Sequence, residues 1–477
     1  MKIYRRLRYG RALLAVSVWA AITIAVATSA SCFLSRMQII EAIAACSLIW
    51  MALWLMATLI FGRLYCSTVC PAGTVFDIVA RLNRLTPGRR KKYHYSYHRP
   101  LSKTRYSFLA FILLCALLGV TAVIAIFDPF SSWSRMVVAV CRPAAVSVAG
   151  FTVAAATAII WLSFSLRRGR LLCNTVCPVG TLLGACSKAS LFHPDINTDL
   201  CTNCGACSDV CKSECIDIFS HTIDPTRCVV CFDCMDVCPN GALTYRRGRH
   251  QLSIPMLQPV GEPPAISTAD AATTDIRPLD RRAFLLTGAV MASSLAAEAT
   301  RKVKRHAAAT GLLTPLNPVT PPGIRSRHDF MTRCTGCGIC VTACPSDVIA
   351  VSGMQYGMRN ALHPVMDFSN SFCRYDCVRC TEVCPTDALT PLTPEEKHRT
   401  PIGKARIDIN ACILYADGDA CGRCARRCPA KAIQIATDSS NGRSAPHISL
   451  DECIGCGACV YICPATPIKA IVIEGIE

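Results

Sequence analysis

The sequence predicts a membrane α-helical bundle joined to small α+β domains built around cysteine. Three observations predict it. Four long apolar runs stand in the first 170 residues. Six cysteine motifs of one general type occupy much of the remainder. Charged residues make up only 17% of the 477, against roughly 25% in a typical soluble domain. A hydrophobic fraction of 52% excludes wholesale disorder, and the low charge argues against an ordinary soluble enzyme.

The apolar runs come first. Ala12 to Ala30, Phe108 to Phe127 and Ala144 to Leu166 carry no charge, and Ile39 to Phe61 carries only Glu41. Each is near the ~20 residues that cross a bilayer as a helix. Residues 1–188 therefore read as a four-span domain. The net charge of +18 sorts by loop. Lys2, Arg5, Arg6, Arg8 and Arg11 precede the first run. Ten cations from Arg63 to Arg105 separate the second from the third, and Arg167, Arg168 and Arg170 follow the fourth. The opposite side holds Arg36, Arg135 and Arg142. Cationic loops stay in the cytoplasm, which puts the N-terminus and both ends of this unit there. The basic excess is then a topology signal and gives no reason to expect nucleic-acid binding.

A repeat lies inside this domain. The stretch Arg63-Leu-Tyr-Cys66-Ser-Thr-Val-Cys70-Pro-Ala-Gly73-Thr returns 107 residues later as Arg170-Leu-Leu-Cys173-Asn-Thr-Val-Cys177-Pro-Val-Gly180-Thr. Each copy closes a two-helix hairpin at its cytoplasmic exit, so Cys66, Cys70, Cys173 and Cys177 share one membrane face. Four such thiols can hold an iron–sulfur cluster or another soft metal, or form two redox-active pairs.

The cysteine motifs follow. The pattern C-x2-C-x2-C-x3-C is a [4Fe–4S] ligand set: three closely spaced thiolates wrap one cluster and the fourth serves its neighbour. Residues 189–250 hold two such motifs, a cytoplasmic two-cluster domain. By the exchange rule one cluster takes Cys201, Cys204, Cys207 and Cys238, and the other takes Cys228, Cys231, Cys234 and Cys211. Lys212 stands where proline is expected after the first motif. Residues 301–477 hold four more. Cys334, Cys337, Cys340, Cys344 and Cys453, Cys456, Cys459, Cys463 are regular. Cys373, Cys377, Cys380, Cys384 and Cys412, Cys421, Cys424, Cys428 have longer first gaps. Zinc ribbons use two separated cysteine pairs, and disulfides need a Cα geometry that these crowded triplets deny. Six [4Fe–4S] clusters use 24 of the 34 cysteines. Cys32, Cys46, Cys115, Cys141, Cys186 and Cys215 default to packing, with Cys186 a weak candidate for the membrane site. The full fold expectation is a four-span bundle, with a candidate fifth span, carrying ferredoxin-like dicluster domains.

Residues 251–280 are rich in Pro, Ala and Thr and read as a linker. Within 281–300, Arg281-Arg282-Ala-Phe284 opens a weakly apolar stretch that looks like a twin-arginine export signal or a fifth span. Ala297-Glu298-Ala299 resembles a peptidase site.

With these residues in place, the chain resembles two families joined end to end. Residues 1 to about 250 resemble NapH, the membrane quinol dehydrogenase component of periplasmic nitrate reductase systems. The resemblance rests on the four runs, the two Cys-x3-Cys-Pro motifs and the dicluster segment. Residues from about 275 onward resemble the NapG and MauM polyferredoxins. It rests there on the twin arginine, Pro321-Pro322-Gly323 and the order regular, stretched, stretched, regular. The resemblance implies a multi-pass protein of the bacterial inner membrane with a periplasmic C-terminal domain. Its partners are then membrane lipid, the quinol pool and a periplasmic cytochrome or reductase. The chain is then a quinol dehydrogenase component, or otherwise an electron carrier. Glu41, Asp77, His94 and His98 are candidate proton groups. The alternative is a transmembrane conduit carrying cytoplasmic electrons to a periplasmic partner in metalloenzyme maturation or reactivation.

Overall fold

Apolar helices fill the N-terminal stretch of the chain, and most of the cysteine loops follow them. The computed structural model describes residues 2–30, 33–85, 95–118, 121–146, 148–247, 317–353, 356–357, 360–416, 421–437, 443–466 and 469–476. The linker at 251–280, the twin-arginine segment at 281–300 and His94 lie outside the described residues.

α1 (Lys2–Thr28) carries the first apolar run as far as Thr28 and is about 40 Å long at ~1.5 Å per residue. Its stretch Ile3–Thr28 is long and apolar enough to cross a membrane. The second run breaks. It forms α2 (Ile39–Ala44) and α3 (Leu48–Phe61), parted where Cys46 adopts a φ of 53°. The 14 residues of α3 reach about 21 Å, short of the ~30 Å hydrocarbon core. α4 (Tyr65–Thr68) and α5 (Pro71–Leu85) lead out of the first repeat copy. The third run also breaks, into α6 (Ser102–Leu117) and α7 (Thr121–Phe127). α7 meets α8 (Pro129–Cys141) at 81°. Pro129 cannot continue the α7 hydrogen-bond ladder, and Asp128 caps the new helix by accepting from the Ser131 amide at 2.5 Å. α9 (Val148–Arg168) takes up the fourth run from Val148 onward, and its stretch Gly150–Arg168 is long and apolar enough to cross. The expectation of four spans is thus corrected: among the described residues two helices qualify, or three if the bent α7–α8 pair is one span, and the candidate fifth span lies outside those residues. Apolar count alone missed the two helix breaks. α10 (Leu171–Thr175) and α11 (Pro178–Cys186) repeat α4 and α5.

Two cysteine units flank this helical part. The first lies between β1 (Phe192–Ile196) and β4 (Leu243–Arg247), which pair antiparallel. They enclose α12 (Ala206–Asp209), the hairpin of β2 (Ile216–Asp217) and β3 (Thr222–Ile223), and α13 (Asp233–Val237). The C-terminal unit begins with α14 (Arg327–Arg333) and α15 (Ile339–Ala343), then the hairpin of β5 (Ile349–Val351) and β6 (Pro364–Met366). α16 (Arg379–Glu382) and α17 (Pro394–Arg399) follow. Its second half repeats the plan of the first unit. β7 (Gly403–Ile407) pairs with β10 (Ile471–Gly475) around α18 (Arg423–Arg427), the β8 (Ile433–Thr437)–β9 (Ser444–Ile448) ribbon and α19 (Ala458–Ile462).

α1 joins the two units at its opposite ends. Near its start, Arg8 Nε lies 3.0 Å from Asp233 and Arg5 Nε 3.0 Å from Asp236. Near its end, the Thr342 hydroxyl donates to the Val26 carbonyl at 3.2 Å. There Ile22, Val26, Phe130 and Val138 share one core with Phe330, Ile339 and Val341. Full burial of a side chain such as Phe330 stabilises by about 1.5–3 kcal/mol. The cationic end of α9 meets the first unit as well, through Arg168 and Glu214.

Candidate functional site

The two repeat copies build one buried site. Cys66, Cys70 and Cys173 are 5–6% exposed, and together with Cys177 they face one another closely enough to interact electrostatically. Each copy turns from a short helix into a Cys-Pro helix start. Cys177 caps α11, its sulfur accepting from the Gly180 amide at 3.4 Å. A thiolate at a helix start is favoured by the free amides there. The repeat glycines have a steric reason. A Cβ at Gly73 would lie 2.1 Å from the Cys66 carbonyl, and one at Gly180 2.1 Å from the Cys173 carbonyl. Two fully buried arginines cross between the copies. Arg170 donates to the carbonyls of Cys66 (2.7 Å) and Gly73 (3.1 Å). Arg63 reaches Asn174 Oδ1 (2.8 Å), the Cys173 carbonyl (3.4 Å) and the Cys66 sulfur (3.8 Å). Sequence reading counted both arginines only as loop charges; their identical place in the two copies was the missed signal. Cys186 ends α11 and takes no part in this core.

The motif cysteines gather in exchanged sets. Cys201, Cys204, Cys207 and Cys238 line one cavity of the first unit. Cys211, Cys228, Cys231 and Cys234 line another. In the C-terminal unit Cys334, Cys337 and Cys340 lie against Cys384. Cys373, Cys377 and Cys380 lie against Cys344. Cys453, Cys456 and Cys459 share a cavity with Cys428. Cys412 and Cys421 lie beside Cys424, and Cys412 packs on Cys463. The Cys373 amide donates to the Cys456 carbonyl at 2.9 Å, which sets the two halves side by side. Among the described residues no three His, Cys, Asp or Glu side chains gather tightly enough for one metal ion. Thiols spread in this way suit a polynuclear cluster held from its separate corners. Burial, with neighbouring thiols adding, pushes Cys207 up to about 11 and Cys337 up to about 12. Iron would supply the positive charge that lets such thiols stand together as thiolates, so the donor sets fit 4Fe–4S clusters.

Three further residues attend these sets. Cys215, assigned to packing by its sequence context, has its sulfur 3.5 Å from that of Cys211. That hydrogen bond, helped by backbone amides, brings Cys211 down to about 7. Lys212 explains its departure from proline: its ammonium bridges Asp77 (3.1 Å) and Asp233 (2.9 Å), tying the helical part to the first unit. Lys397, 1% exposed, donates to the Cys373 sulfur at 3.3 Å and to the carbonyls of Arg374 and Cys377 at 2.6 Å each. The extra residue in Cys373-x3-Cys377 forms the loop that wraps this ammonium.

The proton candidates separate. Glu41 is fully buried, accepts from the Ser131 hydroxyl at 3.2 Å and meets the Asp128 carboxyl. Asp77 is surrounded by cations. Burial pushes it up, but Arg170, Lys212 and Arg11 together hold it below the usual carboxylate range, which makes it a poor base. His98 is exposed beside Glu214, at 3.1 Å.

Comparisons with known proteins agree with this geometry. A family described as a 4Fe-4S binding domain matches residues 43–92 and 148–197, the two repeat copies. A second 4Fe-4S binding domain matches residues 194–217. A 4Fe-4S dicluster domain matches residues 333–416 and 419–466. The chain is 29% identical to the ferredoxin-type protein NapF of Escherichia coli over 155 residues, 32% of this chain and 85% of NapF. It is 31% identical to the methylamine utilization ferredoxin-type protein MauM of Methylorubrum extorquens, over 30% of this chain and 66% of MauM. It is 28% identical to the ferredoxin-type protein NapG of Escherichia coli, over 30% of this chain and 64% of NapG. No solved structure matches the chain. The protein therefore carries ferredoxin-type 4Fe–4S dicluster domains on a helical part with two candidate membrane helices.

Proposed function

We propose that this chain passes electrons from membrane quinol through six [4Fe–4S] clusters to a periplasmic reductase or cytochrome. The ligands are the six exchanged sets described above, and the four repeat thiols form a further iron–sulfur or redox-thiol centre. One observation supports this reading above others: the thiol sets follow one another through the molecule. The first unit sits at one end of α1 and the repeat thiols lie within the helical part. The Cys334 set packs at the other end of α1, and the remaining sets lead away from it. The cationic ends of α1 and α9 support a cytoplasmic first unit and a periplasmic C-terminal unit, with the NapH-like and NapG-like parts in one polypeptide.

The test uses the full chain in lipid nanodiscs. Menaquinol, then a reduced cytosolic ferredoxin, is offered while cluster EPR signals are followed. Reduction by menaquinol is expected, and failure with every quinol sinks the reading. The exposed Cys204 beside the first cluster position favours a second reading, in which a soluble cytoplasmic donor feeds a periplasmic maturation or reactivation partner. Reduction by the ferredoxin alone selects it. An alkaline phosphatase fusion after Glu477 tests the sidedness: a stable but inactive fusion counts against a periplasmic C-terminal unit.

A further inference from the structure

A cavity opens between the N-terminal half of α1, α5 and α13, with about 960 Å³ of open space, mouth included. Ala12, Ala15 and Val16 of α1 and Ile78 and Leu82 of α5 give it apolar walls. Arg11, Asp77, Lys212 and Asp233 give it a charged floor. Arg11 Nη1 reaches Asp77 at 3.3 Å and the Ser67 carbonyl at 2.8 Å, while its buried Nε meets no hydrogen-bond partner. Exposed Arg81 and Leu82 lie at the mouth, and exposed Leu13 and Leu14 continue α1 beside it.

We propose that this cavity binds the quinol headgroup over the Arg11–Asp77–Lys212 floor. The proposal rests on the quinol reading above and assigns its site. The floor selects the ligand. It presents carboxylate oxygens and cationic N–H groups side by side, already paired with one another. A phosphate headgroup would meet Asp77 and Asp233 there, and of the four lining cations Arg8, Arg11 and Lys212 are already paired with those carboxylates. A neutral diol suits both signs, because its hydroxyls donate to Asp77 and its oxygens accept from Lys212 and Arg11. The apolar walls suit a ring and an isoprenoid tail, and α1 is long and apolar enough to lie in lipid.

The position suits the chemistry. Ser67 adjoins Cys66, Lys212 adjoins Cys211 and Asp233 adjoins Cys234, so the floor touches the backbone of both neighbouring thiol sets. In the oxidation both quinol O–H bonds break and the ring becomes the quinone. Cys211, Cys228, Cys231 and Cys234 would hold the cluster that accepts the two electrons one at a time, each moving on to a neighbouring set before the next arrives. The two protons pass to water at the mouth, since cation-bound Asp77 does not retain them.

Ala12→Trp fills the cavity without touching the ion pairs. In nanodiscs, menaquinol should reduce the clusters of this variant at least tenfold more slowly, while dithionite reduces all of them as in the wild type. An azido-naphthoquinone photolabel should attach to α1 and α5 peptides of the wild type and lose that attachment in the variant. If Ala12→Trp does not assemble, shown by incomplete dithionite reduction, Ile78→Trp takes its place. Reduction of the filled variant at the wild-type rate overturns the assignment. So does a label elsewhere, or one displaced by phosphatidylglycerol and not by menaquinone. If quinol reduces no cluster even in the wild type, the functional reading falls first and this site with it.

Discussion

Arg170 donates to the carbonyl oxygen of Cys66 at 2.7 Å, and Arg63 returns the contact to the carbonyl oxygen of Cys173. Each repeat copy thus holds the cysteine loop of the other. Neither loop is complete alone, and four thiols from two distant stretches of sequence become one site. The same guanidinium of Arg170 pairs with Asp77 at 2.8 Å. A single buried side chain therefore ties together α5, the first cysteine loop and the second.

Arg170→Met should be costly for that reason. Removing one partner of a buried ion pair costs about 3–5 kcal/mol. Lys212 and Arg11 still face Asp77, which places the loss at the lower end. Thermal unfolding in nanodiscs measures it. Arg170→Lys should recover little, because a point charge cannot serve two carbonyls and a carboxylate at once. A Tm for Arg170→Met equal to that of the wild type would show that the crossing contacts do not stabilise the site.

The exchange of fourth cysteines gives a pattern that counting motifs cannot. Cys384→Ala should disturb the cluster of Cys334, Cys337 and Cys340 and spare that of Cys373, Cys377 and Cys380. Cys344→Ala should do the reverse. Iron content with EPR of each variant checks this: up to one cluster's iron is lost, and the surviving signal names the cluster. Loss confined to each cysteine's own motif would refute the exchange.

Cysteine spacing made the dicluster domains legible because cluster binding is local: three ligands fall within seven residues, and their loop must turn in one way. Membrane spans were over-read because apolar composition does not report backbone continuity. Cys46 interrupts the second run and α6 ends at Leu117 inside the third, breaks that hydropathy alone does not register. Arg63, Arg170 and Lys397 were not legible as site residues. Their roles depend on partners that are distant in sequence, such as Cys173 for Arg63 and Cys66 for Arg170. Lys212 was visible as an anomaly without a cause, and its partner Asp77 lies 135 positions earlier.

Lys397 should set the potential of the Cys373 cluster. An ammonium donating to a ligand sulfur favours the reduced, more negative cluster. A hydrogen bond to a charged group contributes about 1.5–3 kcal/mol. For a one-electron couple at 59 mV per tenfold, Lys397→Met should lower that midpoint by up to about 130 mV, the limit at which the whole contribution belongs to the reduced state. EPR-monitored redox titration reads it, with Lys397→Arg expected to restore part of the shift. An unchanged midpoint with an intact signal would mean that the lysine only fills space.

His363 gives the contact between the C-terminal unit and the helical part a pH dependence. Its Nδ1 lies 3.1 Å from the Ala361 carbonyl, so that nitrogen carries the hydrogen, and Nε2 accepts from the Thr121 hydroxyl at 3.2 Å. Burial opposes a second proton and brings the imidazole down to about 4 from its ordinary 6.5. In the unfolded chain the same ring protonates near 6.5, so below that pH the unfolded state binds more protons than the native one. Stability is therefore lost as pH falls from about 6.5 and levels off below about 4, by at most about 3 kcal/mol. His363→Gln removes the titration and keeps a donor and an acceptor. Thermal unfolding of the C-terminal unit between pH 7 and 4.5 should show a smaller acid-induced drop in Tm for His363→Gln than for the wild type. Equal drops would assign the acid sensitivity to other groups.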